Sequence, residues 1–339
     1  MRISIIGAGG WGTAIAKLLS ENGHDVLLWI REMELFQEVI RYRTNSIYLP
    51  GVQIPDAVKP ITDISEALCN TELVILAVPS NYMRSIVRQI SAYVPDNIRL
   101  LSLAKGIEEE TAKRMSTLIL EELNSSTNED RLAVLSGPNH AEEVGRMIPS
   151  ATVVSSRSHE FMSVLQKTIM CGYFRVYSNP DIVGVEICGA TKNVMALAAG
   201  MSDGLGFGDN TKATLITRGL AEMTRLGLAL GANPLTFMGL AGMGDLVATC
   251  FSRHSRNRMF GERIAKGESL TQIEKSTPMI AEGVRTARAL KLMSAQLNIE
   301  LPITNIVYGV LYEGKSVRSC VKELMNRDPR EENPLNYKA

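Results

Sequence analysis

The segment Gly7-Ala8-Gly9-Gly10-Trp11-Gly12 lies between the apolar run Arg2–Ile6 and a helix-like stretch. A G-x-G-x-x-G pattern in this order of strand, turn and helix predicts a dinucleotide-binding turn. Gly7 would allow the tight turn, Gly9 would let the backbone approach a pyrophosphate, and Gly12 would let helix and strand pack closely. The alternative is an ordinary strand–turn–helix whose glycines only save space. The next apolar run follows directly behind the helix, which favours the cofactor site.

The composition is that of an ordinary globular protein, and it excludes several classes of function. A chain of 339 residues is long enough for two domains. Its residues are 45% hydrophobic and 21% charged, which is typical of a globular protein. Lys and Arg together number 36, as do Asp and Glu, so no positive field predicts a nucleic acid or an anionic membrane as partner. No run of 18 apolar residues is present and glycines interrupt the apolar N-terminal segment, so neither a transmembrane helix nor a signal peptide is predicted.

The cysteines and histidines predict neither disulfides nor a metal site. The five cysteines are scattered without C-x-x-C spacing, and the four histidines form no pair four residues apart. An odd number of dispersed cysteines is typical of reduced thiols, so we expect a cytoplasmic protein without a bound metal.

Alternating apolar runs and helix-like segments predict a parallel sheet in the first half of the chain. The predicted strands are Arg2–Ile6, Asp25–Ile30, Leu73–Val78, Ile98–Leu103, Leu132–Leu135, Ala151–Ser155 and Phe174–Tyr177. The helix-like segments between them are Gly10–Asn22, Tyr82–Tyr93, Thr111–Leu123 and Glu160–Cys171. Several strands are apolar throughout, as in parallel sheets that are buried on both faces. The pattern predicts an α/β fold with a Rossmann-like, doubly wound, mainly parallel sheet.

After about Pro180 the pattern becomes helical. The predicted helices are Asp181–Met201, Lys212–Leu230, Arg256–Lys266, Glu282–Gln296, Thr304–Glu313 and Val317–Asn326, with breaks at Gly204–Gly208, Gly239–Gly244 and around Pro278. We therefore predict a dinucleotide-binding domain at 1–180, a mostly α-helical substrate domain at 181–326 and a flexible tail at 327–339. The chemistry would take place in the cleft between the two domains.

Lys192 is the strongest candidate for a catalytic residue. On a helix its same-face neighbours, which include Cys188 and Met195, are all apolar or small. A lysine in such a stripe either reaches outward to solvent or lies in a desolvated pocket, where its pKa falls towards neutrality. No other cation lies between Arg175 and Lys212, and we favour a general acid/base.

Two loops that follow predicted strands supply further candidates. Lys105 follows the run Ile98–Leu103, at the strand end that faces the ligand crevice, although a loop lysine is usually just solvated. The segment Ser136-Gly137-Pro138-Asn139 follows Leu132–Leu135 and would offer backbone N–H groups near the same crevice.

A basic segment, Ser255-Arg256-Asn257-Arg258, begins a predicted helix. Ser255 would cap the helix, which leaves Arg256 and Asn257 beside free N–H groups and the positive end of the dipole. An arginine there is slightly unfavourable unless an anion binds, and its guanidinium can clamp phosphate oxygens. A basic helix start on the surface is the alternative. Upstream, Asp245 would either cap a helix or orient an active-site lysine or a substrate hydroxyl.

Together these motifs resemble the soluble NAD(P)-dependent glycerol-3-phosphate dehydrogenases of bacterial type. The motifs are Gly7–Gly12, Lys105-Gly106, Ser136-Gly137-Pro138, Gly189-Ala190-Thr191-Lys192-Asn193, Gly244-Asp245-Leu246 and Ser255-Arg256-Asn257-Arg258. The resemblance runs in order from residue 1 to about 326. It implies a Rossmann-like domain followed by a helical domain. It also implies that the protein interconverts dihydroxyacetone phosphate and sn-glycerol 3-phosphate, which supplies phospholipid synthesis, and that it is a homodimer.

The resemblance also implies roles for individual residues. Lys192 is implied as the acid/base group, and a neighbouring cation at Lys105 would lower its pKa. The implied substrate-binding residues are Lys105, Gly137, Asn139, Lys192, Asp245, Thr249, Ser255, Arg256 and Asn257. The implied cofactor-binding residues are Gly7, Gly9, Gly10, Trp11, Gly12, Arg31, Lys105, Ala141, Arg256, Ile280 and Glu282. The chain departs from the family at Asn139, where Thr or Ser is usual, and at His140, where an aromatic side chain is usual.

The choice of cofactor and two other classes of protein stay open at this point. Arg31 could pair with a 2′-phosphate, whereas Glu32 could bind a ribose hydroxyl, so we favour NADPH with NADH as the alternative. One rival is a two-domain dehydrogenase of the hydroxyacid type, which would not need the phosphate site at Ser255–Arg258. The other is a nucleotide-sensing regulator without turnover, which would not need Lys192.

Overall fold

An eight-stranded sheet is formed by the first half of the chain in the computed structural model of the protein. The structure describes residues 1–95, 97–123, 129–277, 281–329 and 331–332. The strands are β1 (Arg2–Ile6), β2 (Asp25–Trp29), β3 (Val58–Ile61), β4 (Leu73–Leu76), β5 (Arg99–Ser102), β6 (Leu132–Ser136), β7 (Ser150–Ser156) and β8 (Phe174–Asn179). Their order is β3-β2-β1-β4-β5-β6-β7-β8, and every neighbouring pair is parallel except β6 and β7. The prediction of a mainly parallel sheet is confirmed.

The strand order reverses between β1 and β4. From β1 the chain moves outward through β2 to β3 and then returns to pair β4 with the other side of β1. In doubly wound folds, ligands bind in the crevice at the carboxyl ends of the strands that flank such a switch point. Here the glycine-rich turn after β1 and the segment Ala77-Val78-Pro79 after β4 border that crevice.

Helices from the strand connections cover both faces of the sheet. They are α1 (Gly10–Glu21), α2 (Met33–Tyr42), α3 (Ile64–Leu68), α4 (Ser80–Ser91), α5 (Met115–Glu122), α6 (Ala141–Gly145) and α7 (His159–Ile169). The apolar side chains of α1 and α7 pack on one face, and those of α4 and α5 pack on the other. Because both faces are covered, the central strands are mainly apolar, and β4, Leu-Val-Ile-Leu, is apolar throughout.

Two differences from the predicted elements have local causes. The edge strand β3 was missed because Pro60 and the exposed Lys59 break its apolar pattern; Pro is tolerated there since an edge strand has one unpaired side. The helix predicted from Thr111 begins later, at Met115, because Ala112 has a left-handed φ of 57° and Arg114 pairs in an isolated bridge with Ile107.

Beyond β8 the described part of the chain contains helices and no strand, as predicted. The helices are α8 (Ile182–Gly204), α9 (Asp209–Ala229), α10 (Pro234–Met238), α11 (Asp245–Phe251), α12 (Arg256–Ala265), α13 (Leu270–Ser276), α14 (Glu282–Leu297), α15 (Pro302–Tyr312) and α16 (Val317–Met325). The break predicted at Gly239–Gly244 is found at Gly239, where α10 has ended and the backbone is extended, but Leu240–Gly244 forms a π-helical turn that leads into α11. Pro278, residue 330 and residues 333–339 of the predicted tail lie outside the described residues. The domain bounds at 180 and 326 stay predictions.

Helix α8 is the buried centre of the helical domain. It is long and apolar enough to cross a membrane by length and composition, but 83% of the apolar window is buried inside the protein. It crosses α12 in backbone contact: a Cβ on Gly200 would lie 1.9 Å from the Arg258 carbonyl oxygen, and one on Gly261 would lie 2.0 Å from that of Leu197. This crossing brings the start of α12 close to the middle of α8.

A buried carboxylate fixes α8 against the sheet domain. Glu186 accepts hydrogen bonds from the backbone N–H and the hydroxyl of Ser116, at 2.7 and 2.6 Å, and pairs with Arg114. These two partners lie at the start of α5, so the charge of Glu186 also complements the positive end of that helix. The two halves of the chain are therefore held in one orientation around the crevice.

Gly12 provides a test of the packing between α1 and the sheet. We expect Gly12→Ala to lower the melting temperature by several degrees, because its Cβ would lie 2.0 Å from the Gly7 carbonyl oxygen and 3.1 Å from the Ala77 Cβ. Overpacking of this kind costs about 1–3 kcal/mol. The matched control is Gly9→Ala, whose Cβ would meet no atom within 4 Å and should leave the melting temperature unchanged. Equal melting temperatures for the two variants would contradict this account.

Candidate active site

A cleft of about 490 Å³ lies between the carboxyl ends of the strands and the helical domain. The candidate residues that line it are Gly7, Gly9, Gly10, Trp11, Arg31, Lys105, Asn139, Ala141, Lys192, Thr249, Ser255, Arg256, Asn257 and Glu282. Three other candidates, Gly12, Gly137 and Asp245, lie behind this lining, and Ile280 lies outside the described residues. The structure therefore brings candidates that are far apart in the sequence to one cavity.

The glycine-rich turn fits a pyrophosphate. Gly9 is the N-cap of α1, where no side chain caps the helix and no acidic residue lies in the first turn. The N–H groups of the first turn have no partner within the helix, and the space beside Gly9 is open to 4 Å. Free donors, the positive end of a helix dipole and room at Gly9 together suit an anionic dinucleotide. Gly12 serves this site from behind, through its contact with the Gly7 carbonyl.

Lys192 lies in the desolvated pocket that its apolar stripe suggested. Its side chain is 6% exposed, and its ammonium group donates to the Asp245 carboxylate and, at 2.9 Å, to the Thr249 hydroxyl. Asp245 and Thr249 lie one turn apart on α11, and the Thr249 hydroxyl also donates to the Asp245 backbone carbonyl at 2.6 Å. The position of the ammonium group is thus set by two side chains of a single helix.

Lys105 approaches the same carboxylate from the sheet domain. Its ammonium group donates to Asp245 Oδ2 at 3.0 Å, to the Gly137 carbonyl at 2.9 Å and to Asn139 Oδ1 at 2.7 Å. Asn139 in turn donates to the Thr152 hydroxyl at 3.0 Å. Gly137 and Asn139 therefore hold Lys105 in place, and Asp245 bridges two lysines from opposite sides of the cleft.

This arrangement shifts the ionisation of the cluster. The pKa of Lys192 is lowered to about 7: burial is the main cause, the Asp245 carboxylate opposes the shift, and the adjacent cation at Lys105 adds to it. Burial would raise the pKa of Asp245, but the two lysines outweigh it and hold that pKa below its ordinary value. At neutral pH the site therefore contains an ionised carboxylate beside an amine that can gain or lose a proton.

A chain of side-chain amides connects Lys105 to the start of α12. Asn193 donates to the Lys105 backbone carbonyl at 3.0 Å, and Asn257 donates to Asn193 Oδ1 at 3.0 Å. Asn257 Oδ1 then accepts from the Gly283 N–H at 2.9 Å, at the start of α14. Three helices and the loop after β5 are thus held in register around the two lysines.

The start of α12 leaves one arginine available. Ser255 caps the helix by accepting from the Arg258 N–H at 3.3 Å, and Arg258 is paired with Asp203 at 2.7 Å. Arg256 lines the cleft and makes no hydrogen bond or ion pair with the described residues. Its guanidinium can therefore bind an anion in the cleft.

The opposite end of the cleft carries the residues that could discriminate between cofactors. Arg31 donates to Glu32 at 2.7 Å, and its guanidinium lies 5.4 Å from the centre of the Tyr82 ring. The Arg31 side chain is 59% exposed, so it can turn towards a ligand phosphate. Glu282, a partly buried residue of the cleft lining, accepts from the N–H and hydroxyl of Ser80, and desolvation raises the pKa of Glu282.

Several cleft residues were not among the sequence candidates. They are Tyr48, Tyr82, His140 and His254, together with Ser80, which holds Glu282. The rule that carboxyl ends of strands face the ligand predicted Lys105 after β5. Applied to β4, it would also have indicated Ser80 and Tyr82. No pattern in the sequence indicates that His140 and His254 lie together.

A nucleotide turn facing a buried lysine that can exchange a proton at neutral pH defines a two-domain, nicotinamide-dependent dehydrogenase. Two family models together cover most of the chain: the N-terminus of NAD-dependent glycerol-3-phosphate dehydrogenase matches residues 2–162, and its C-terminus matches residues 181–322. The chain belongs to this family of NAD(P)-dependent oxidoreductases.

Individual relatives agree with the family models. The glycerol-3-phosphate dehydrogenase [NAD(P)+] of Pelotomaculum thermopropionicum is 48% identical over 96% of this chain and 93% of its own length. That of Thermoanaerobacter sp. is 49% identical over 98% and 99%. The crystal structure of glycerol-3-phosphate dehydrogenase from Coxiella burnetii superposes with a TM-score of 0.91, at 34% identity, over 96% and 99%. D-mandelate dehydrogenase, at 13% identity and a TM-score of 0.61, shares the fold alone. The match to the glycerol-3-phosphate dehydrogenase family decides against the hydroxyacid alternative.

Asp245 provides a test of the lysine cluster. We expect Asp245→Asn to lower the free energy of unfolding by at most about 3–5 kcal/mol, because Lys105 loses its buried counter-ion and Lys192 must give up its proton to stay buried. It should also lower the pKa of Lys192 below about 7, since Asp245 is the group that raises it. Denaturant unfolding measures the first effect. The control is Asp25→Asn, which removes a half-exposed carboxylate that also pairs with two cations, Lys59 and Arg2, and should change stability far less. Equal losses in the two variants would contradict the assignment.

Proposed function

We propose that the protein interconverts dihydroxyacetone phosphate and sn-glycerol 3-phosphate, with Lys192 as the acid/base group. The observation that carries the proposal is the position of Lys192: its pKa lies at about 7, and it lines the same cleft as the glycine-rich turn. Dependence on NAD(P) follows from membership of the family. The nicotinamide supplies or accepts the hydride when bound.

In the direction of reduction, Lys192 donates a proton to the carbonyl oxygen of the ketone. Lys105 adds a second positive charge at the same end of the cleft, so both lysines polarise the carbonyl before the proton moves. Asp245 and Thr249 keep the Lys192 ammonium group in place throughout. In the direction of oxidation, the neutral amine of Lys192 takes the proton from the hydroxyl.

The start of α12 would bind the substrate phosphate. Arg256 supplies a charged fork, and its helix supplies N–H groups in the first turn. Asn257 is engaged with Asn193 and Gly283, and Ser255 caps the helix, so these two residues hold the phosphate site in shape. Asn139 holds Lys105 with its amide oxygen, which supports an indirect role beside the substrate contact predicted for it.

We further propose NADPH as the preferred cofactor, because the exposed Arg31 can leave Glu32 for a 2′-phosphate. We also propose a cytoplasmic homodimer that supplies phospholipid synthesis. The dimer is supported by exposed apolar side chains on α10 and α11, which the π-helical turn joins: Leu235, Met238, Val247 and Phe251. Sedimentation velocity at micromolar concentration tests the dimer, and a purely monomeric protein would exclude it.

Lys192→Ala tests the acid/base assignment. We expect kcat to fall by about 10²–10⁴-fold, as for loss of a general acid, with little change in the Kd of NADPH. In the wild-type protein, kcat/KM for reduction should fall as pH rises through about 7, because the proton donor is lost, and kcat/KM for oxidation should rise over the same range. The control is the exposed Lys59→Ala, which should match the wild type. Retention of more than about a tenth of kcat would exclude the role.

Arg256→Ala tests the phosphate site. A charge-assisted hydrogen bond contributes about 1.5–3 kcal/mol, so we expect at least a tenfold loss of kcat/KM for dihydroxyacetone phosphate. Unphosphorylated dihydroxyacetone should lose much less, and Arg256→Lys should recover only part of the loss. If both substrates lost equally, Arg256 would serve the cofactor or the fold instead.

Arg31→Ala tests the choice of cofactor. We expect kcat/KM for NADPH to fall more than kcat/KM for NADH, because only NADPH carries the phosphate that Arg31 would bind. Steady-state kinetics with both cofactors measure the ratio. A ratio equal to that of the wild type would show that Arg31 does not recognise the 2′-phosphate.

A further inference from the structure

Two histidines meet across the cleft near its substrate end. His140 lies between β6 and α6 in the sheet domain, and His254 lies in the turn between α11 and α12. Both line the cleft, and their ring centroids are 6.3 Å apart with the ring planes tilted by 52°. The mechanism proposed above uses neither side chain.

His140 has an unused hydrogen-bonding atom. Its Nε2 atom is buried and has no hydrogen-bond partner among the residues that the structure describes. A buried polar atom without a partner is uncommon in folded proteins, because the lost hydration is not replaced. A ligand oxygen in the cleft would provide the missing partner. His254 is exposed, so its ring can turn towards the same ligand.

Both histidines adjoin the groups that would surround a substrate. His140 follows Asn139 in the sequence. The ammonium groups of Lys192, on α8, and Lys105, in the loop after β5, both lower the pKa of His140. The carboxylates of Asp245 and Glu142 raise the pKa of His140 and so partly oppose this effect. His254 immediately precedes the Ser255–Asn257 turn at the start of α12. The pair therefore lines the same cleft as the two lysine-bearing elements and the start of α12.

We propose that His140 and His254 bind the phosphate dianion of the substrate together with Arg256 and make its affinity depend on pH. The inference rests on the proposed function, which places that phosphate at Arg256. A phosphate group has three acceptor oxygens, more than one guanidinium satisfies, and each imidazole can donate to one of them.

The direction of the pH dependence follows from charge. Burial lowers the pKa of His140, and the cations at Lys192 and Lys105 lower it further, so its imidazole is neutral at pH 7 without ligand. A bound dianion raises the pKa of an adjacent imidazole, so binding takes up a proton. Affinity for the phosphorylated substrate should therefore rise as pH falls from about 8 to about 6.5. Below about 6 the phosphate itself becomes a monoanion.

The experiment compares His140→Phe, His254→Phe and the double variant with the wild type. A phenyl ring keeps the shape and removes the nitrogens. We expect the KM for dihydroxyacetone phosphate and the Kd of glycerol 3-phosphate to rise roughly three- to tenfold per histidine at pH 6.5, and less at pH 8. The Kd of NADPH and the kcat/KM for dihydroxyacetone should change less than twofold. The control is His159→Phe, at the start of α7, whose side chain does not line the cleft.

His140→Gln separates hydrogen bonding from charge. Its amide can still donate, so affinity at pH 8 should recover in part, while the rise in affinity towards pH 6.5 that His140 contributes should stay lost. An unchanged KM for dihydroxyacetone phosphate, or an equal loss with dihydroxyacetone, would overturn the inference. If Arg256→Ala still penalised the phosphorylated substrate in that case, the proposed function would stand without the histidine pair. If neither Arg256→Ala nor the histidine substitutions affected dihydroxyacetone phosphate more than dihydroxyacetone, the proposed function and the histidine inference would both be excluded.

Discussion

The carboxylate of Asp245 is the group on which the site depends. It is 2% exposed and is the shared partner of two lysines, one from each half of the chain. A buried ion is tolerated only where opposite charge surrounds it, so the carboxylate and the two ammonium groups hold one another inside the protein. The same contact fixes how the helical domain sits over the carboxyl ends of the strands. This cluster of three side chains thus sets the acid/base chemistry and, together with the contacts of Glu186, the orientation of the two domains.

The cluster also explains how one amine can serve both directions of a reversible reaction. Burial alone would favour a neutral lysine, and Asp245 alone would favour a charged one. Their opposition leaves Lys192 near the point where both forms are populated at neutral pH. The second lysine matters because it shares the carboxylate, and a carboxylate that is divided between two cations stabilises each of them less than it would stabilise one.

The sequence predicted much of this arrangement, and its failures have physical causes. Lys192 was recognisable because its neighbours on one helical face are apolar, and helical periodicity is a local property. The glycine-rich turn was also recognisable from a local pattern, the spacing of its glycines between a strand and a helix. The contact between Lys105 and Asp245 joins residues 140 positions apart, and no local pattern carries that information. The meeting of His140 with His254 depends in the same way on how two domains pack. The strand β3 was missed because edge strands tolerate residues, such as Pro60, that local patterns exclude.

The crossing of α8 and α12 determines the length of substrate that the cleft can accept. Lys192 is carried by one of these helices and Arg256 by the other, and between them the helices touch through the bare backbone at Gly200 and Gly261. At these two glycines no side chain separates the helices, so none can rotate there to change the spacing. The distance between Lys192, which exchanges a proton, and Arg256, which would bind the phosphate, is therefore set by the contact of two helix backbones. A longer or shorter substrate would require a shift of the two helices at their crossing, because substitutions in the lining of the cavity would not change the distance between Lys192 and Arg256.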